Sequence, residues 1–202
     1  MNPDISDIRK NALELLLKNR RVTDGFQYTV PSPLSYPYQW LWDSCFHAIV
    51  LSHFNTDDAE KEILSLLSVQ LENGFIPHMI YWQLVPGVIE VNWGKEKTSS
   101  ITQPPMIAYA VWQIYTKNHN KEFLKKVYRN LYHYYNFLLT ERDPRHNHLV
   151  GIINPDESGE DNSPRFDLPL GLPTKQTLGE NYKRRLEFIE KNRTCNFDAP
   201  FV

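Results

Sequence analysis

Apolar residues recur at helical spacing in five segments of the chain, and this pattern decides the fold class. In the first segment Ile5, Ile8, Ala12, Leu15 and Leu16 form one stripe that reaches about residue 20. Similar stripes predict four more helices, at about 43–53, 56–72, 104–118 and 121–142. The sequence therefore predicts an all-α fold.

Long loops rich in aromatic, acidic and turn-forming residues separate these helices, at 24–42, 75–101 and from 141 onward. One short strand at 88–91 and one further helix near 179–192 fit the pattern. Paired helices with long connections are typical of an α-solenoid or an α/α toroid. Loops of this length in a helical protein usually carry function.

Charge and composition exclude several classes of protein. The 202 residues have a net charge of -2 with dispersed Lys and Arg, which argues against a nucleic-acid partner. No secretory signal and no membrane-length apolar segment occur, so we expect a cytoplasmic protein without a membrane partner. Cys45 lies in an apolar helical stretch and Cys195 lies far from it, which favours reduced thiols, although the sequence leaves a disulfide open.

Metal and cofactor motifs do not match the sequence. His146 and His148 lack further ligands at zinc spacing, and an EF-hand loop starting at Asp156 would misplace Gly159. No phosphate-binding or dinucleotide-binding glycine motif is present. We therefore expect no cofactor and no metal, and the oligomeric state is left open.

The first candidate site motif is the aromatic run that contains Tyr36, Trp40, Trp42 and Asp43. Aromatic rings stack on the C–H faces of a sugar, and a carboxylate accepts from its hydroxyls. The alternative is a packed aromatic loop in which Asp43 simply caps a helix.

Two further polar residues stand in the loops that follow. His78 comes after a proline in an aromatic loop, and Gln103 precedes two prolines at a predicted helix start. Each side chain could contact a sugar hydroxyl. Equally, His78 could be a buried structural histidine, and Gln103 could hydrogen-bond loop backbone.

The last motif is acidic, with four carboxylates at Asp156, Glu157, Glu160 and Asp161. Their mutual repulsion would raise the pKa of the least solvated one, as a general acid requires, whereas an approaching Arg165 would oppose that shift. A solvated acidic loop is the alternative.

Four motifs occur in the order QWLWDSCFHA, GFIPHM, SSITQPP and ESGEDNSPRFD, and together they resemble glycoside hydrolase family 63 over about residues 25–202. The resemblance is greatest to the branch that acts on mannosylglycerate and glucosylglycerate. It implies an (α/α)6 barrel and hydrolysis of an α-glycosidic bond with inversion, with a small carbohydrate as the substrate.

The resemblance also implies roles for individual residues. Asp161 matches the general acid. Tyr36, Trp40, Trp42 and Asp43 match residues that shape the pocket for the sugar to be cleaved, while His78 and Gln103 match further substrate contacts.

The family's catalytic base, a glutamate, has no counterpart in the sequence. We therefore expect residues 1–202 to be the N-terminal part of one catalytic domain and to be inactive alone. Two alternatives stay open: another α-glucosidase on the same barrel, trehalase-like or oligosaccharide-trimming, and a non-catalytic carbohydrate-binding helical module.

Overall fold

The computed structural model describes residues 5–83, 97–160, 163–169, 171–172, 180 and 183–184. This part of the chain is mostly helical, as predicted. Its helices are α1 (Ile5–Asn19), α2 (Leu41–Leu51), α3 (Thr56–Leu67), α4 (Ile107–Asn118) and α5 (Lys121–Glu141). The predicted strand at 88–91 lies outside the described residues, and so does most of the predicted helix near 179–192.

Two helix pairs form the core. The helices of each pair, α2 with α3 and α4 with α5, pack against each other, and α4 also packs on α2 and α3. Their facing side chains are fully buried, including Cys45, which acts as a small apolar residue there. Burial of this apolar surface is the main force that holds the two pairs together.

Asparagine caps fix the starts of α3 and α5. The side chain of Asn55 accepts from two backbone N–H groups of α3, and that of Asn120 does the same for α5. Helix α4 ends at Asn118, where His119 takes a left-handed conformation, and α5 ends at Glu141. These four boundaries agree with the sequence prediction.

Three predicted boundaries were wrong. Helix α2 begins at Leu41, so Asp43 lies within the first turn rather than at the cap. Helix α3 ends at Leu67 instead of near residue 73. Helix α4 begins at Ile107 instead of near residue 104, and its first turn has no side-chain cap.

Two small antiparallel strand pairs close the loops between helices. Strands β1 (Arg20–Thr23) and β2 (Phe26–Thr29) form a hairpin, whose two turn residues, Asp24 and Gly25, both have positive φ. This geometry is the two-residue turn that Asp-Gly favours. Strands β3 (Gln39–Trp40) and β4 (Met79–Ile80) bring the first two candidate site loops side by side.

Helix α1 leaves most of its apolar stripe at the surface. Along the predicted stripe of α1, Ile5, Ile8 and Leu15 are exposed and Leu16 is buried. Among the helices of the described part, none combines the length and the apolar composition needed to cross a lipid bilayer.

Candidate active site

The first turn of α2, which contains Trp42 and Asp43, contacts the loops on both sides of β4. The N–H of Leu41 donates to the carbonyl of His78 (2.9 Å), and the N–H of Trp42 donates to the side-chain oxygen of Gln103 (3.1 Å). These bonds satisfy two backbone donors that a helix start leaves without helical partners. The helix start is thereby fixed against both neighbouring loops.

Asp43 is half-buried in this turn. Burial raises the pKa of its carboxyl, because the charged form loses hydration, and hydrogen bonds from its own backbone and from the Trp42 side chain oppose that rise. A half-buried carboxyl beside an aromatic ring can accept from, or donate to, a sugar hydroxyl.

An aromatic cluster surrounds Trp40, three residues before Asp43 in the chain. The Trp40 ring meets Tyr36 edge-on, with ring centroids 5.9 Å apart, and meets His78 in the same way at 5.1 Å. Tyr36 is 55% exposed, whereas Trp40 is half-buried. The cluster therefore offers one exposed ring and one partly covered ring to a ligand.

His78 is buried beneath this cluster. Its Nδ1 lies 2.5 Å from Oγ of Ser99, and its backbone N–H donates to the carbonyl of Ile101 (2.7 Å). Burial lowers the pKa of the imidazole to about 3, so the ring is neutral at pH 7. These contacts fit a buried histidine with a structural role. Contact of the same ring with a substrate stays a prediction.

Gln103 is also buried, and its amide oxygen accepts from the backbone N–H of Trp42 in the first turn of α2. The neighbouring Thr102 donates its N–H to the side chain of Glu157 (3.0 Å), which belongs to the acidic loop. The two residues therefore join the helix start of α2 to the acidic loop, although they lie far from both in sequence.

Glu157 anchors the acidic loop from inside. Both its oxygens accept from the guanidinium of Arg142, at 2.7 and 2.8 Å, and Oε2 also accepts from the N–H of Ile153 (2.8 Å). The side chains of the pair are 1% and 3% exposed. Glu157 is therefore a buried, fully paired carboxylate with a structural role.

The acidic loop reaches the aromatic motif at Gly159. This glycine follows a 3-10 turn, Pro155–Ser158, and has a φ of +74°. The Trp42 ring lies directly against it, so that a Cβ at Gly159 would overlap ring atoms. Only a glycine permits this approach of the two loops.

Glu160, unlike Glu157, lies at the surface of the acidic loop. Glu160 is exposed and pairs with exposed Arg165 at 2.9 Å. Asp161 lies outside the described residues, two positions after Gly159 in the sequence. His146 and His148 are exposed.

Sequence reasoning missed one buried carboxylate, Glu62 on α3, which is 1% exposed. Ala59, Glu62, Ile63 and Leu66 follow the i, i+3, i+4, i+7 pattern, so their spacing alone places Glu62 on the buried face. Within the described residues, no three His, Cys, Asp or Glu side chains are grouped so that they could hold a metal ion.

Comparison with known proteins assigns the family. The profile of the mannosylglycerate hydrolase MGH1-like glycoside hydrolase domain matches residues 36–198. The chain belongs to this family. This confirms the resemblance found in the sequence.

Curated relatives are named for two glycosides. A mannosylglycerate hydrolase of Thermus thermophilus is 37% identical, with 93% of this chain and 48% of that protein covered. A glucosylglycerate hydrolase of Mycolicibacterium hassiacum is 33% identical, with 84% of this chain and 47% of that protein covered. The chain thus spans about half the length of these relatives.

A solved structure agrees with this assignment. The crystal structure of a family 63 mannosylglycerate hydrolase from Thermus thermophilus, in complex with Tris and D-glycerate, matches with a TM-score of 0.82 and 32% identity. The match covers 95% of this chain and 51% of that one.

Proposed function

We propose that the chain carries the general-acid side of an inverting glycoside hydrolase, which cleaves the α-glycosidic bond of a small glycoside such as mannosylglycerate or glucosylglycerate. The observation that carries the proposal is the contact of Trp42 with Gly159. It joins a helix start with an aromatic ring and a half-buried carboxyl to the loop that continues into Asp161.

In this proposal Asp161 protonates the leaving glycosidic oxygen while water attacks the anomeric carbon from the opposite face. The C–O bond to the aglycone breaks, and the water oxygen forms the new bond and loses its proton to a second carboxylate. Inversion requires the two carboxyl groups to be about 6.5–9.5 Å apart, which leaves room for that water.

The sugar to be cleaved would rest on Tyr36, Trp40 and Trp42, with Asp43 on one hydroxyl. His78 and Gln103 lie below this surface and would act at its edge. Their observed bonds to Ser99 and to Trp42 support a role in holding the surface in place.

We further propose that residues 1–202 form the first part of one (α/α)6 catalytic domain. The paired helices, the exposed apolar stripe of α1 and the match to a solved enzyme of twice the length support this. The base would then come from outside these residues, and they would not hydrolyse a glycoside alone.

The test uses the longest natural chain that carries this sequence. It is incubated with mannosylglycerate, glucosylglycerate, trehalose and a gluco-oligosaccharide, and the first sugar released is examined by proton NMR. We expect one of the two glycerates to react fastest and to release the β-anomer first. Release of the α-anomer would contradict inversion, and preference for trehalose or the oligosaccharide would assign the chain to another α-glucosidase.

A parallel assay of residues 1–202 tests whether this part of the proposed catalytic domain is inactive without the rest. We expect no hydrolysis above the rate of a blank, and glycoside cleavage by this piece would contradict the missing base. Sugar binding without hydrolysis by the longest chain would instead identify a non-catalytic module.

A further inference from the structure

A buried carboxylate lies directly behind the first turn of α2. Oε1 of Glu62 accepts from the hydroxyl of Ser44 (2.5 Å) and from the N–H of Thr29 (3.0 Å), and Oε2 accepts from the Thr29 hydroxyl (2.8 Å). Ser44 immediately follows Asp43 on α2, whereas Thr29 ends β2. Glu62 thus connects α3 to both neighbouring elements.

A buried glutamine extends this network toward the aromatic loops. The side-chain amide of Gln39 donates to Ser44 (3.1 Å) and to Ser65 (2.7 Å), and its oxygen accepts from the indole N–H of Trp82 (2.7 Å). Gln39 itself forms β3 together with Trp40. The network therefore joins the residue before Trp40 to the residue after Asp43.

Glu62 is the final hydrogen-bond acceptor in this network. Ser44 has one hydroxyl proton, which it donates to Glu62, so its oxygen is free to accept from Gln39. Without an acceptor at Glu62 the Ser44 proton would be buried and unpaired, which is costly.

We propose that Glu62 is a positioning residue that fixes the first turn of α2, and with it Trp42 and Asp43, in the orientation that a bound sugar requires. This inference rests on the proposed function, since Trp42 and Asp43 are its sugar-contacting residues.

The placement of Glu62 argues against a role in packing alone. Its neighbours on the buried face, Ala59, Ile63 and Leu66, are fully buried, and an apolar side chain would complete the same face. Burying a carboxyl among apolar side chains is unfavourable unless it is hydrogen-bonded. The best attested role of such buried polar groups is to fix the alignment of neighbouring elements.

The test compares three variants in the longest natural chain that carries this sequence. Glu62→Ala removes the acceptor, whereas Glu62→Gln keeps an oxygen toward Ser44 and is the conservative rescue. Asp58→Asn is the matched control, because this carboxylate lies one turn earlier on α3 and binds Arg20 and Gln27 rather than a residue of α2.

Kinetics with mannosylglycerate provide the first readout, at a temperature where all variants are folded. We expect KM to rise at least about tenfold in Glu62→Ala, and to stay within about twofold of wild type in Glu62→Gln and Asp58→Asn. An unchanged KM in Glu62→Ala, or an equal rise in Asp58→Asn, would overturn the proposal.

Hydrogen exchange provides a second readout that needs no substrate. We expect the amides of Leu41 and Trp42 to exchange at least about tenfold faster in Glu62→Ala, and at the wild-type rate in the other two variants. Unchanged exchange in Glu62→Ala overturns the positioning role. If wild type fails to cleave any glycoside while this exchange pattern holds, the proposed function fails and the positioning of the turn stands.

Discussion

At the scale of single residues, burial sets the protonation of the groups around α2. It raises the pKa of Glu62 to about 7 and lowers that of His47 to about 4, because both charged forms lose hydration. Nδ1 of His47 lies 3.9 Å from Glu62. Since the imidazole is neutral at pH 7, this contact is not an ion pair.

Glu62 should give the stability of the protein a measurable pH dependence. From its usual pKa of 4.5 up to about 7, the folded state keeps a proton that the unfolded state has released. The free energy of unfolding therefore falls as the pH rises through this window and levels off above it. We expect the stability of Glu62→Gln relative to wild type to increase by up to about 3 kcal/mol between pH 4.5 and 8.

Urea denaturation of both proteins at several pH values measures this difference. The other titratable groups that act on Glu62 or respond to its charge are the same in both proteins, so their contributions cancel to first order: Arg20, Tyr28, Cys45 and His47. A difference that does not change with pH would mean that Glu62 keeps an ordinary pKa in the folded state.

The two ion pairs of the acidic loop should differ greatly in their effect on stability. We expect Glu157→Gln to lower the free energy of unfolding by about 3–5 kcal/mol, because it leaves buried Arg142 without its counterion. Glu160→Gln should lower it by less than about 1 kcal/mol, because its partner Arg165 is exposed to water. Equal losses in thermal or chemical denaturation would contradict the buried anchor.

At the scale of elements, the contact between α2 and the acidic loop depends on Gly159. Alanine at this position would take a left-handed conformation, at about 1–2 kcal/mol, and would also displace the Trp42 ring. Gly25 is the matched control, because its φ is +79° and a Cβ there meets nothing within 4 Å. We expect Gly159→Ala, unlike Gly25→Ala, to raise KM for mannosylglycerate and to lose more stability.

Chemical denaturation and steady-state kinetics of the two alanine variants check this expectation. If both variants lose the same stability and keep the wild-type KM, the Trp42 contact has no part in the site.

How far sequence predicts these elements depends on the signal involved. The starts of α3 and α5 could be predicted because the caps, Asn55 and Asn120, act within their own turn of the chain. The Asp24–Gly25 hairpin lies at the start of a segment, 24–42, for which the sequence analysis predicts only a loop, although Asp-Gly is a strong hairpin signal. The end of α3 at Leu67 was missed because the apolar pattern continues beyond the helix.

The candidate site was predicted less completely than the helices. The order of the motifs predicted that Trp42, Gln103 and the acidic loop belong to one site. In the structure Trp42 contacts both Gln103 and Gly159 of that loop. The partners of Glu157 and Glu62 could not be read from sequence, because Arg142 and Ser44 reach them only through the packing of distant elements.

At the scale of the whole molecule, two helix pairs bring loops from distant parts of the sequence to one place. Strand β3, the start of α2, the segment before α4 and the acidic loop are joined there by backbone-to-backbone and backbone-to-side-chain hydrogen bonds. The acidic loop continues in sequence into Asp161, which we propose to be the general acid, and one experiment tests this role directly.

That experiment compares two substrates in Asp161→Asn, made in the longest natural chain that carries this sequence. Mannosylglycerate needs a proton on its leaving oxygen, whereas α-mannosyl fluoride releases fluoride ion without one. We expect the variant to lose about 10²–10⁴-fold in kcat on mannosylglycerate. Its turnover of the fluoride should stay within about tenfold of wild type, and Glu160→Gln should retain both activities. Normal cleavage of mannosylglycerate by the variant, or an equal loss of activity on both substrates in a folded variant, would contradict the assignment of Asp161.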